Sequence, residues 1–356
     1  MAIKINSLQG VSTMSVNGTN RWTRVNPRVN RNPLWNFAHT FQGTFAGYSV
    51  GTSPSVAIFD KFPFASDATV TNVGGSMSVL RGSASGQSSD AHGYISGGAS
   101  PSSYTNIIDK FPFAVDGTTS TDVGDLSASI LNPMGQSSNV SGYSTGGYLY
   151  SPTPPLALIY KTAINKFPFA TNSNATNIGA LTQGRRNGAG QSSTVSGYTS
   201  GGQAYSPAPP DLYVNTIDKF PFATDANATD VGDMTRLTQG NAGQSSDVSG
   251  YTSGGYGRLP PGSPRPSSPA SVRNIIDKFP FATNANATDV GDLTVARQSM
   301  GVAGQSSTVS GYSTGGYVPG SGSTNIIDKF PFATNANATD VGDLSNTRSG
   351  NIGLQD

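Results

Sequence analysis

Any hydrolytic or metal-centred chemistry in this chain would have to be built from two histidines and twenty aspartates, because there is no cysteine and no glutamate. A nucleophilic serine needs a base within hydrogen-bond reach. Only His39 and His92 are available, neither stands in a recognisable motif, and His39 falls at the edge of the first expected strand. Zinc or copper held by His, Tyr and Cys is excluded with two histidines and no thiol. Glycoside hydrolysis needs two converging carboxylates, whereas the aspartates here recur in register along the chain. The pairs Asp230/Asp233, Asp289/Asp292 and Asp340/Asp343 have a spacing compatible with calcium but lack the other oxygen ligands of a calcium loop. Asn72 and Asn177 replace the first aspartate in two copies. No catalytic residue, cofactor or metal is expected.

These residues recur because the chain repeats, and the repeat decides the fold. Lys-Phe-Pro-Phe occurs six times, with its first Phe at Phe62, Phe111, Phe167, Phe220, Phe279 and Phe330, 49 to 59 residues apart. Upstream of each lies a Gly-Tyr, at Tyr48, Tyr94, Tyr143, Tyr198, Tyr251 and Tyr312, and five of the six run on into a double glycine. Downstream comes Ala-Thr-Asp-Val-Gly-Asp-Leu or a variant. Each copy reads as four short strands; in the last they are expected near 303–309, 310–317, 325–333 and 338–344. In the third strand Ile275, Asp277, Phe279 and Phe281 share one face, while Ile276 and Lys278 take the other. The neighbouring Asp and Lys of this strand therefore find partners on different sheets, as ion pairs or turn caps. Asn-Ala-Thr at Asn174, Asn227, Asn286 and Asn337 reads as hairpin turns rather than as glycosylation sites.

Composition agrees with many strands and tight turns: 44 glycines, 23 prolines and no Glu to favour long helices. The start of the chain lacks the apolar run of a secretory signal, and no stretch has the length of a membrane helix.

A strand, a strand ending in Gly-Gly, a strand carrying an aromatic and a fourth strand followed by Leu-Thr-x-x-Arg resemble the kelch family. Arg236 and Arg297 are read at that last position, with Arg81, Arg186 and Arg348 near it. Phe-Pro-Phe in place of Tyr-Asp, and no Trp in strand four, depart from the family pattern. The resemblance implies an all-β fold: a six-bladed β-propeller of kelch-like four-stranded blades over 39–345, with a non-repeating arm at 1–38 and a tail at 346–356. The tail echoes the run into strand one, so the ring closes either by an exchanged C-terminal strand or by blade packing alone. More narrowly, IDKFPFATDANATDVGDL units resemble repeats in structural proteins of tailed phages of marine bacteria. That implies a non-enzymatic virion component of the tail or its fibres, inside a larger assembly with other virion proteins. A carbohydrate-active or glycan-binding propeller and a cellular kelch-type interaction module are the rival readings.

The connections between strands three and four are nearly uniform, whereas those between strands two and three differ in every copy. Proline-rich loops on a rigid scaffold suit recognition. The variable end gathers Tyr148, Tyr150, Tyr160, Tyr205, Tyr213, Tyr256 and Tyr317 with Arg258 and Arg265. These residues either bind a host-surface glycan or protein, or pack the loops onto the disc. The arm carries Lys4, Arg21, Arg24, Arg28 and Arg31 with no acid, a charge of +5 against −4 on the remaining 318 residues, and both tryptophans, Trp22 and Trp35. Arg21, Trp22, Arg24, Arg28, Arg31 and Trp35 are candidates for attachment to a partner. Five charges over 28 residues are too sparse for nucleic acid, and no membrane insertion is expected.

Overall fold

The computed structural model of the chain describes residues 4–8, 11–16, 19–23, 46–53, 56–67, 70–150, 158–205, 212–261, 269–298 and 304–356. Among the described residues the protein is all-β, with no helix. Its contacts divide it into Met1–Ala38 and His39–Asp356. The first unit holds a three-stranded antiparallel meander, Lys4–Leu8, Val11–Val16 and Thr19–Thr23.

Among the described residues the second unit contains nine antiparallel sheets; six of them recur with the repeat and are numbered in chain order. Sheet 2 runs Ser85–Ser88, His92–Ser96, Ile107–Pro112, Thr121–Asp125. Sheet 3 runs Met134–Ser137, Ser141–Thr145, Ala163–Pro168, Thr176–Ala180. Sheet 4 runs Ala189–Ser192, Ser196–Ala204, Leu212–Pro221, Thr229–Asp233, and Arg185–Arg186 pairs with the far end of Ser196–Ala204 as a fifth strand. Sheet 5 runs Ala242–Ser245, Ser249–Ser253, Ile275–Pro280, Thr288–Asp292. Sheet 6 runs Gly304–Ser306, Ser310–Thr314, Ile326–Pro331, Thr339–Asp343. Sheet 1 takes its first strand from the far end of the chain. Ile352–Gln355 pairs with Ala46–Ser53, followed by Val56–Pro63 and Thr71–Asn72. Of the two ways of joining the ends, the exchanged strand is the one adopted.

Cross-strand register explains why Gly-Tyr and Lys-Phe travel together. In sheet 5 Gly250 lies opposite Phe279 and Tyr251 opposite Lys278. The Phe279 ring covers the Cα of Gly250 so closely that a Cβ there would collide with it, and the same holds for Gly93, Gly142, Gly197 and Gly311 with their own Phe partners. The double glycine after strand two has positive φ at both residues, 69° and 102° at Gly254 and Gly255, a turn that other residues resist. Sheet 1 lacks the pair, and its second and third strands run on as one long hairpin, from Ala46↔Pro63 to Ser53↔Val56.

Hydrophobic burial lies between sheets. The sheet 4–sheet 5 wedge holds Tyr198 and Ile217 from one side, Phe279 and Phe281 from the other, and Met234 from the connector. Equivalent wedges join 2 to 3, 3 to 4, 5 to 6, and 6 to 1 through Tyr312, Ile327, Leu344, Phe62 and Phe64. The sixth, between sheets 1 and 2, uses Phe59, Ile352 and Leu354 with Ile95 and Phe111. The first Phe of every Lys-Phe-Pro-Phe is buried and contributes about 1.5–3 kcal/mol before ordering entropy.

The first strands, most of them Gly-Gln-Ser, stand side by side in a cycle. A Cβ on Gly135 would strike the carbonyl oxygen of Gly86. Gly190 stands in the same relation to Gly135, Gly243 to Gly190, Gly304 to Gly243, Gly353 to Gly304, and Gly86 to Gly353. Backbone meets backbone at all six positions, so only glycine fits. Serines stitch the same cycle. The Ser88 N–H donates to Ser137 Oγ, Ser137 to Ser192, Ser192 to Ser245 and Ser245 to Ser306, each at 2.9–3.0 Å. Gln355 N–H donates to Ser88 Oγ at 3.1 Å.

Strands not anticipated from the sequence occur in the variable connections and in the connector from sheet 4 to sheet 5. Tyr148–Tyr150 pairs with Leu158–Tyr160, and Tyr317–Val318 with Gly322–Ser323. Leu237–Gln239, Tyr256–Arg258 and Ser271–Val272 form a three-stranded sheet.

Candidate functional site

The third-strand aspartates and the first aspartate of each Asp-Val-Gly-Asp are engaged in structural bonds. In every sheet but the third, which has Asn165, the third strand carries an Asp buried beneath the connector that arrives from the preceding sheet. Arg81 reaches Asp109 at 2.7 Å, Arg185 reaches Asp218 at 2.9 Å and Arg297 reaches Asp328 at 2.8 Å; Arg348 pairs with Asp60. A Ser or Thr three residues before the arginine position adds a backbone N–H, with Thr182, Thr294 and Ser345 also donating their hydroxyls. Burial lowers the pKa of Arg185, Arg297 and Arg348, and the adjacent carboxylates oppose that shift.

Two of the arginines read at or near the end of the repeat pattern do not form this pair. Arg186 yields to Arg185, and Arg236 lies two residues short of the paired position, which Thr238 occupies. The exceptions are internally consistent. Sheet 3 has Ile130 at the arginine position and Asn165 for the aspartate, and Asn165 accepts from Ser127 N–H at 3.1 Å; a neutral partner suits a site without a cation. Sheet 5 keeps Asp277 with no buried guanidinium bonded to it. Thr235 donates from its N–H and hydroxyl at 3.0 and 2.7 Å, yet burial pushes the Asp277 carboxyl up to about 6. Asn241, donating to Gly254 O at 3.0 Å, does there what Arg81 does to Gly97 O at 2.8 Å.

The third-strand lysines look the other way, toward the strand three–four turn of the following sheet. Lys166 meets Asp225 at 2.9 Å, Lys329 meets Asp67 at 2.8 Å and Lys61 meets Asp116 at 3.5 Å, all with exposed carboxylates. Such pairs contribute little to stability. In the Asp-Val-Gly-Asp motif the first Asp accepts from the Gly N–H two residues on, as Asp230 does from Gly232 at 3.1 Å. Asn72 and Asn177 do the same for Gly74 and Gly179, which explains their interchange with Asp. The turn asparagines accept from the preceding sheet: Asn174 from Asp125 N–H, Asn227 from Ala180, Asn286 from Asp233 and Asn337 from Asp292, at 2.9–3.1 Å. His92 is half-buried, and desolvation and the Lys110 charge lower its pKa. His39 lies outside the described residues. Among the described residues no three His or Asp side chains gather as a metal site. Where the six first strands meet, a cavity of about 50 Å³ is lined by their Gly, Gln and Ser residues.

At the variable end four of the seven tyrosines come together with two residues the sequence reading did not assign there. Tyr104 and Tyr150 stack at 6.0 Å and 18°; Tyr150 meets Tyr148 edge-on at 5.8 Å; Tyr148 meets Tyr160 at 6.3 Å, and Tyr160 meets Tyr205 at 6.4 Å. The Arg186 guanidinium lies 4.2 Å over Tyr148 and 5.6 Å from Tyr160, with Nε donating to Gln203 at 3.0 Å. This ladder spans sheets 2, 3 and 4. Tyr104 sits in the two–three connection of sheet 2, where the other tyrosines sit in theirs, and that position was its signal. Tyr213 and Tyr256 form a separate edge-on pair at 5.8 Å. Arg258 ends the short strand Tyr256–Arg258, half-buried. Tyr317 stands apart in its own two-stranded sheet, 39 % exposed. Arg265 lies outside the described residues, as do Arg24, Arg28, Arg31 and Trp35; Arg21 and Trp22 belong to the strand Thr19–Thr23, opposite Met14 and Thr13. At the uniform end the one–two turns of sheets 3 to 6 each carry a valine, Val140, Val195, Val248 and Val309, 66–69 % exposed.

No protein-family model matches this chain, and no curated protein is similar to it.

Proposed function

We propose that residues 39–356 form a six-bladed kelch-like β-propeller and that the protein is a non-enzymatic structural component of a tailed-phage virion, in the tail or its fibres. The cyclic succession of the first strands is the observation that carries the propeller reading, because it gives six sheets one common axis and two unlike ends. A rigid disc whose repeated carboxylates are engaged in bonds between repeats is suited to holding a surface in place. The variable end presents the aromatic ladder and individual connections. The uniform end carries the exposed valines, and there Ala46 and Gln355, in sheet 1, stand where other sheets have a one–two turn. In this reading residues 1–38 attach the protein and the variable end of the second unit is presented. The virion assignment itself is supported by the resemblance of the repeat.

Deletion of residues 1–38 tests the reading. The shortened chain is expected to retain a β-sheet circular dichroism spectrum and cooperative unfolding, and to be missing from purified particles. Its normal incorporation would overturn the attachment role, and absence of the full chain from particles would overturn the virion assignment.

A further inference from the structure

We infer that the tyrosine ladder across sheets 2, 3 and 4 is a binding platform for a neutral glycan chain; the inference rests on the variable end being the presenting end. The platform is ordered before any ligand arrives. Tyr148, 8 % exposed, is the base, and Arg186 clamps it against Tyr160 while its own charge is spent on the two rings and on Gln203. Above that base Tyr104, Tyr150 and Tyr205 remain 37 %, 46 % and 58 % exposed. Rings held in place with open faces lose little entropy on binding.

The hairpin carrying the middle of the ladder distinguishes a sugar from an apolar protein anchor. Tyr148, Tyr150, Leu158 and Tyr160 alternate onto one face of it, while Leu149 and Ile159, opposite each other, take the other. Ile159 is 40 % exposed on that other face. The face bearing the ladder is therefore mainly aromatic and hydroxylated rather than aliphatic. A tyrosine ring offers an apolar surface to sugar C–H groups, and its hydroxyl donates to or accepts from sugar hydroxyls. Burial and the neighbouring rings raise the Tyr148 pKa, although Arg186 opposes the shift, so the base of the platform is a neutral phenol at physiological pH. Successive ring centres at 5.8–6.4 Å form a track for an extended chain of several sugar units rather than a pocket for one.

The test is affinity electrophoresis of the full chain through gels containing dextran, laminarin, yeast mannan or agarose-derived galactan. Retardation by at least one polymer is expected, with a tenfold or greater loss of affinity in Tyr150→Ala and in Tyr205→Ala. Arg186→Gln is expected to weaken binding several-fold, and Val115→Ser, exposed in the strand three–four turn of sheet 2, to leave it unchanged. Each variant is checked by circular dichroism and urea unfolding, and the comparison is restricted to those that retain the parent profile. Migration unaffected by all four polymers overturns the platform, as does retardation that survives both ladder variants. Either failure leaves particle incorporation, measured separately, as the criterion for the virion reading.

Discussion

The backbone N–H of Gln355 donates to the hydroxyl of Ser88 at 3.1 Å across 267 residues of sequence. Through this bond the exchanged strand is tied to sheet 2 as well as paired within sheet 1, and Ile352 and Leu354 from that strand complete the wedge between the two.

Removing residues 352–356 is expected to abolish cooperative unfolding, because sheet 1 loses its first strand and one wedge opens to water. The milder Leu354→Ala, at a fully buried position, is expected to cost about 2–5 kcal/mol. Urea unfolding followed by tyrosine fluorescence measures both. A Leu354→Ala midpoint equal to the parent's would show that the strand is dispensable.

Arg297→Ile alone leaves the buried carboxylate of Asp328 without its cation, a loss of about 3–5 kcal/mol. Adding Asp328→Asn recreates the Ile130 and Asn165 arrangement of sheet 3, and most of the lost stability is expected to return. Urea midpoints for the two single variants and the double variant decide it. Without recovery, sheet 3 must owe its tolerance to something other than neutrality.

Asp277 makes one sheet sensitive to pH. Its folded pKa of about 6 lies above the ordinary 3.8, so the native state holds the proton more tightly than the unfolded chain. The stability associated with this proton is fully present below the ordinary value and is lost as pH rises through about 6, on the order of 3 kcal/mol in all. Asp277→Asn keeps an oxygen for Thr235, as Asn165 does for Ser127. The variant is expected to be more stable than the parent at about pH 7 and nearly equal at about pH 4. Parallel stability curves for the two proteins would refute this account.

Gly190→Ala places a methyl group against the carbonyl of Gly135. Backbone cannot rotate aside as a side chain can, so a cost of at least about 3 kcal/mol is expected, at or beyond the top of the usual overpacking range. Thermal unfolding of the purified variant reads it. An unchanged midpoint would mean that the first strands are more loosely apposed than described.

Periodic residues disclosed the strands because each performs the same physical task in every copy: Gly250 makes room for Phe279, and Asp230 caps Gly232. Where copies differ, the sequence was read less well. Arg185 and Arg186 are adjacent and chemically identical, and only their register against the third strand separates the ion pair from the aromatic clamp. Arg236 matched by type while missing the paired position by two residues. The ladder was half legible: a tyrosine reveals its type but not its neighbours, and Tyr104 joins Tyr150 only through the folding of two connections from different sheets. The short strands in those connections carry no repeat to announce them.

The wedges bear on how such a chain is inherited. Each of sheets 2 to 6 contributes a Tyr and an Ile to one neighbour and its Phe residues to the other, so none of them contains a complete core. A genetic crossover between two copies, wherever it falls in the repeat, still delivers matching halves on both sides of the join. Gain or loss of a whole unit is then limited by the cycle of first strands that the new number must complete rather than by the chemistry of the joint.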